Sequence, residues 1–157
     1  MFGIPLRGLH VYVNGTATMK IKLGGLITVA NASGPIMDRG ETVTFFNDMC
    51  LIAPETLIDT AIRWQENSEE TVDASMNVNS ITIQARLYVD NEGDLVNFTS
   101  DDRSMSSDGK NYVNARWSTP CSQHTVHNGR RLPRYGEACW DLPSGSLSYA
   151  RFNITRF

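Results

Sequence analysis

Ser80-Ile81-Thr82-Ile83-Gln84-Ala85-Arg86-Leu87-Tyr88-Val89 alternates without a break. Ile81, Ile83, Ala85, Leu87 and Val89 share one face, and Ser80, Thr82, Gln84, Arg86 and Tyr88 the other. This is the two-residue period of a half-buried antiparallel strand. The same period sets Ala17, Met19, Ile21 and Leu23 against Thr16, Thr18, Lys20 and Lys22, and Val72, Ala74, Met76 and Val78 against Thr71, Asp73, Ser75 and Asn77.

Working outward, Asn14-Gly15 predicts a tight hairpin between Leu9–Val13 and Thr16–Leu23, because a type I′ turn needs two residues that tolerate positive φ. Gly24-Gly25 turns the chain into Leu26–Ala30. The period then changes. Asp38 with Glu41 spells a capping box, and Val43, Phe45, Phe46, Met49, Cys50 and Ile52 form a broad apolar stripe, predicting one long helix from about Gly40 to Leu51. Pro54 interrupts it, with a short helical turn expected over Glu55–Ile58. From there only strands are expected: Ile62–Glu66, Thr71–Val78, Ser80–Val89, Leu95–Ser100, Tyr112–His127, Tyr135–Leu142 and Ser146–Thr155. Their links are short and turn-like, which makes neighbours antiparallel.

Strands lie about 4.8 Å apart, so eight of them span roughly 40 Å, whereas a helix is about 10 Å across. The expected fold class is therefore mainly β (α+β): a curved antiparallel sheet or half-barrel with one main helix on its concave face and apolar sheet to spare. That surplus predicts a hollow for a hydrophobic or lipid-like ligand, bound without covalent chemistry.

The chain has 157 residues, enough for a single domain with a real core. Its 14 basic and 17 acidic residues give a net charge of −3, which offers no electrostatic footprint for phosphate backbones or anionic lipid, so nucleic acid is not expected as a partner. No apolar run approaches the ~20 residues of a bilayer-spanning helix, so the chain as given reads as soluble, cytoplasmic or exported in a full-length form. Cys50, Cys121 and Cys139 are too widely spaced for a metal knuckle and read as small buried hydrophobes. His124 and His127, three apart on a strand, point to opposite faces, so no zinc set and no cofactor are implied.

Several stretches carry a family resemblance: Gly8-Leu9-His10-Val11-Tyr12, Ala32-Ser33-Gly34-Pro35 with Asp38-Arg39-Gly40-Glu41, and Phe46-Asn47-Asp48-Met49-Cys50-Leu51-Ile52-Ala53-Pro54. Ser100-Asp101-Asp102-Arg103, Trp117-Ser118-Thr119-Pro120, Tyr135-Gly136-Glu137-Ala138-Cys139-Trp140 and Tyr149-Ala150-Arg151-Phe152 complete the set. They resemble an uncharacterised, mostly bacterial group of proteins that carry a domain of unknown function. The resemblance implies that residues 1–157 form the carboxy-terminal majority of a longer protein. Membrane association would come only through an upstream segment absent here, and an open sheet edge would permit oligomers. In layout the family is similar to bacterial lipoprotein-localisation carriers, whose half-barrels shelter acyl chains.

Candidate ligand-binding residues follow. Phe45, Phe46 and Met49 of the helix, with Trp64, Trp117 and Trp140 from the strands, are expected to line the apolar hollow, although each alone also fits a packed core. Asp48, Arg103, Glu137 and Arg151 are charged groups in or beside it, expected either to pair with one another or to hold a polar head group. A hydrolase-like enzyme with Asp48 or Glu137 as acid or base is the alternative, and a structural module with no small ligand is the third reading. Ser107-Asp108-Gly109-Lys110 matches a Ser-x-x-Lys pattern, but Asp-Gly makes a turn of it. Asp101, Asp102 and Asp108 are too few carboxylates for a calcium loop without backbone help.

Overall fold

The computed structural model describes residues 5–106 and 111–155. Both Ser107-Asp108-Gly109-Lys110 and the Asp108 carboxylate lie outside them. Three strands open the chain: β1 (Leu6–Val13), β2 (Thr16–Leu23) and β3 (Ile27–Ser33). They form a separate three-stranded antiparallel sheet. The β1–β2 link is the expected turn, with Asn14 at φ 50° and Gly15 at φ 79°, the doubly left-handed geometry that Asn-Gly accommodates.

Helix α1 runs Pro35–Ile52, five residues earlier than the sequence suggests. The capping box does not form. Gly34, at φ 103°, occupies the cap and Pro35 supplies the pre-set φ of the first helical position. The two acidic residues of the expected box serve tertiary contacts instead. Asp38 Oδ1 accepts the Ala17 backbone N–H of β2 at 2.7 Å, and Glu41 is engaged by β1 and a distant arginine. A 3-10 turn, Pro54–Ile58, follows as expected.

The remaining strands are β4 (Ile62–Ser68), β5 (Thr71–Val78), β6 (Ile81–Val89), β7 (Leu95–Ser100), β8 (Ser104–Met105), β9 (Val113–Asn114), β10 (Arg116–Ser118), β11 (Cys121–Ser122), β12 (Thr125–His127), β13 (Arg130–Leu132), β14 (Tyr135–Leu142) and β15 (Gly145–Asn153). The single strand expected over Tyr112–His127 is four short ones. Pro120 lacks the N–H a continuing ladder needs, and Gln123 sits at φ 60°, off the pleat. An eight-stranded antiparallel sheet runs β4-β5-β6-β7, then β10 and β11 end to end along β14, then β15. The pairs β8-β9 and β12-β13 are separate ribbons, and among the described residues no sheet closes into a barrel.

The helix lies against the apolar face of the large sheet. Val43, Phe46, Met49 and Cys50 meet Ile83, Ala85 and Leu87 of β6, Phe98 of β7, Trp117 of β10 and Trp140 of β14 in one buried cluster. Phe46 and Phe98 pack edge to face at 5.7 Å, and Phe98 meets Trp117 the same way at 6.2 Å. Each such side chain withdrawn from water contributes about 1.5–3 kcal/mol. The three-stranded sheet packs on the helix as well, through Tyr12, whose hydroxyl bonds Thr42 Oγ1 at 2.8 Å and whose ring meets Phe45 at 5.5 Å. Its Asn14-Gly15 end is pinned to the β5–β6 turn, where Asn79 Nδ2 donates to Asn14 O at 2.5 Å.

Candidate functional site

The polar positions of β5 and β6, Asp73, Ser75, Gln84 and Arg86 among them, fall on the face of the large sheet turned away from the helix. Register aligns them in rows: Arg63 of β4 opposite Ser75 of β5, itself opposite Gln84 of β6; and Gln65, Asp73, Arg86, Thr99 and Ser118 across β4, β5, β6, β7 and β10. This face is hollowed into an open trough of about 820 Å³. Four arginines border it, Arg39, Arg63, Arg86 and Arg116, against three carboxylates, Asp73, Asp101 and Asp102.

Most of those charges are matched. Arg86 grips Asp73 with two bonds, 2.7 and 3.0 Å, and these hold the Asp73 carboxyl down at about 2 and push the guanidinium's own pKa up. Arg116 grips Asp101 in the same bidentate way, 2.9 and 2.8 Å, lowering the Asp101 pKa. Arg39, reaching over from the helix, donates to Asp102 at 2.7 Å, whose other oxygen takes the Gln84 backbone N–H. Arg63 is exposed and has no ion pair among the described residues. The forks of Arg86 and Arg116 are thus spent on Asp73 and Asp101, which fixes both guanidiniums in the wall of the trough, and one cation, Arg63, is left over.

A second constellation sits on the helix side. Glu41, 6% exposed, takes His10 Nε2 of β1 at 3.1 Å and Arg103 Nη2 at 3.4 Å. The Arg103 guanidinium lies 4.5 Å from the ring centre of Trp117 and 5.6 Å from that of Trp140, close enough for cation–π attraction. Its Nη1 and the Trp117 Nε1 both donate to Tyr149 Oη at 3.0 Å. Tyr149 reaches them because the β14–β15 register slips there: Ala138 faces Ala150 and Cys139 faces Ser148, leaving Tyr149 as the extra residue. Such a bulge re-aims a side chain. Asp48 stands on the same helix face. Desolvation first, and then the Glu41 charge, lift its carboxyl from 3.8 to about 6. Neither the trough nor the smaller hollow described below reaches Glu41 or Asp48, so this group acts as a clamp joining β1, α1 and β15.

Of the residues singled out from sequence, the structure brings Arg103, Trp117 and Trp140 together, with Asp48 near enough to feel Arg103. Phe46 and Met49 are buried in the same core cluster. Phe45 is exposed against Tyr12. Trp64 is half exposed, with its ring 5.9 Å from Phe46. Glu137 and Arg151 face each other across β14–β15, paired at 3.4 Å with the Tyr135 hydroxyl on Glu137, away from the clamp. Sequence reasoning missed Arg63, Arg86 and Arg116, although the alternation that located β6 had already placed Arg86 on the polar face. It also missed His10, Tyr149 and the tertiary role of Glu41, whose contacts join positions far apart in the chain.

A smaller hollow of about 210 Å³ opens at the end of α1, walled by Cys50, Pro54, Leu57, Leu87, Val89 and Leu95 and rimmed by Asp94, His124 and Arg131. Arg131 Nε lies 2.7 Å from both Asp94 oxygens, and His124 Nε2 contacts Leu95 O at 2.9 Å. The three cysteines are buried and free. Burial pushes the thiols of Cys50 and Cys121 up to about 12, which leaves them protonated and inert at neutral pH. Among the described residues, no three His, Cys, Asp or Glu stand together as a metal site, and no helix is long and apolar enough to cross a membrane. No curated protein and no solved structure matches this chain. The sequence pattern of a family of unknown function (DUF6544) matches residues 1–152, nearly the full length, and the chain belongs to that family.

Proposed function

We propose that this protein is a binding module without covalent chemistry, and that its outer trough takes a polar, oxygen-rich ligand carrying negative charge. The observation that carries this reading is the trough itself: about 820 Å³, within the usual range for ligand sites, with four arginines against three carboxylates. Two of the arginines are held rigid in bidentate pairs, so little side-chain freedom is lost when a ligand arrives. Arg63 supplies an uncommitted cation at one wall.

The hydrophobic or lipid-like ligand expected from sequence is the second reading, favoured by one observation. The hollow at the end of α1 has apolar walls and a charged rim. At about 210 Å³ it holds on the order of seven water volumes, room for the end of an acyl chain. Elsewhere between helix and sheet, Val43, Phe46, Ile83 and Phe98 are fully buried and occupy the space themselves.

A thermal-shift titration with citrate, glucose 6-phosphate and myristate separates the readings. Ligand at a hundred times its Kd stabilises by about 2.7 kcal/mol. We expect citrate or glucose 6-phosphate to raise the Tm, and Arg63→Ala and Arg86→Ala to abolish the rise. A rise that survives both substitutions, or one seen with myristate alone, contradicts the trough.

A further inference from the structure

The whole-chain charge of −3 conceals a division. Residues 5–33, which build β1, β2 and β3, contain Arg7, Lys20 and Lys22 and no acidic residue; all 17 Asp and Glu follow, from Asp38 onward. Register places the three cations together on the outer face of the small sheet: Arg7 directly opposite Lys22, and Lys20 opposite Leu9. None of them makes an ion pair among the described residues. Like charges facing each other across a ladder are destabilising, so folding alone gives no reason for Arg7 and Lys22 to be there.

The same end of the sheet is apolar where it should be wet. The Gly24-Gly25 turn carries Leu26, 87% exposed, and Ile27, 64% exposed; Leu6 beside it is 60% exposed and Leu9 64%. The opposite end is anchored, by Asn79 on Asn14 and by Asp38 on the Ala17 N–H. The cationic, greasy end therefore projects from the body, with Leu6 and Leu23 paired at its tip.

We propose that the free end of the β1–β2–β3 sheet docks on a lipid bilayer surface bearing anionic headgroups. Leu6, Leu26 and Ile27 would enter the interface while Arg7, Lys20 and Lys22 meet the phosphates and carboxylates. Apolar insertion combined with charge attraction is the chemistry of interfacial binding. A two-fold pair formed by the same patch on a second copy is disfavoured, because it would set three cations against three. This docking is independent of any ligand in the trough, and it uses the chain's own sheet rather than an upstream segment.

Co-sedimentation of the full chain with phosphatidylcholine vesicles, with and without phosphatidylserine, tests it. We expect binding to the anionic vesicles that weakens as salt is raised. Neutralising Lys20 or Lys22 to Thr should weaken it roughly fivefold per charge, and Leu26→Ser or Ile27→Ser about tenfold. Lys22→Thr also relieves the repulsion with Arg7, so its Tm should hold or rise while vesicle binding falls, an opposition that simple misfolding does not produce. Equal binding to neutral vesicles, no binding to either, or binding unchanged in the lysine variants overturns the proposal. Sedimentation without vesicles overturns it too, and assigns the face to a second copy.

Discussion

The two faces of the large sheet are made by the same strands and do opposite things. On β6, Ile83, Ala85 and Leu87 are buried under α1, while Gln84 and Arg86, one residue away in each case, look into the trough. The helix-side face is filled by side chains from seven elements, α1, β4, β5, β6, β7, β10 and β14, down to a fully buried Phe46 and Phe98. The outer face is left open and is held in shape by Arg–Asp pairs. The difference teaches that the apolar half of the alternation packs the core while the polar half, left uncovered, is where we propose that a ligand binds.

Substitutions on the two faces should therefore differ in kind. The largest loss is expected for Phe98→Ala, about 3–5 kcal/mol in urea denaturation, because the site is closed on all sides and cannot collapse. A loss below about 1 kcal/mol would mean that the helix-side face is not tightly packed. Arg103→Ala comes next, at about 2–4 kcal/mol, since it strips Glu41 of its cation while the carboxylate stays buried.

Asp48→Asn should stabilise. The folded value of about 6 lies above the ordinary 3.8, so between those pH values the folded state holds the proton more firmly. Stability contributed by this group is then lost as pH rises through that window. A shift of that size is worth ~3 kcal/mol unscreened, but the residue is exposed and solvent reduces the gain to about 1 kcal/mol at neutral pH. Denaturation curves at pH 4 and pH 7 check it: parent and variant should differ at pH 7 and converge at pH 4. The smallest effect on stability belongs to the outer face, where Arg86→Ala should leave the urea midpoint near that of the parent protein.

Much of the fold was legible because it is local. Alternation delimited Thr16–Leu23, Thr71–Val78 and Tyr135–Leu142 to the residue, and Asn14-Gly15 fixed the first hairpin. The helix start was misjudged because Asp38 and Glu41 have the chemistry of a capping box yet are claimed by Ala17, His10 and Arg103. The reckoning of spare apolar area set eight strands against one helix. It had no way of knowing that the first three strands form their own sheet on that helix, or that Trp117 and Trp140 lie around an arginine, Arg103, from the link between β7 and β8. The trough escaped notice because its parts are ordinary surface residues one by one. Only register, which puts Arg63, Asp73, Arg86 and Arg116 on one curved face, makes a site of them.

The most direct test of the claim that the polar face binds while the apolar face folds is a map of amide chemical shifts during titration with citrate or glucose 6-phosphate. Saturable shifts confined to Arg63, Ser75, Gln84, Arg86 and their neighbours on β4–β7 are the predicted result. Shifts centred instead on Cys50, Leu57 and Leu95 at the end of α1, or no saturable shift on the outer face, would contradict it.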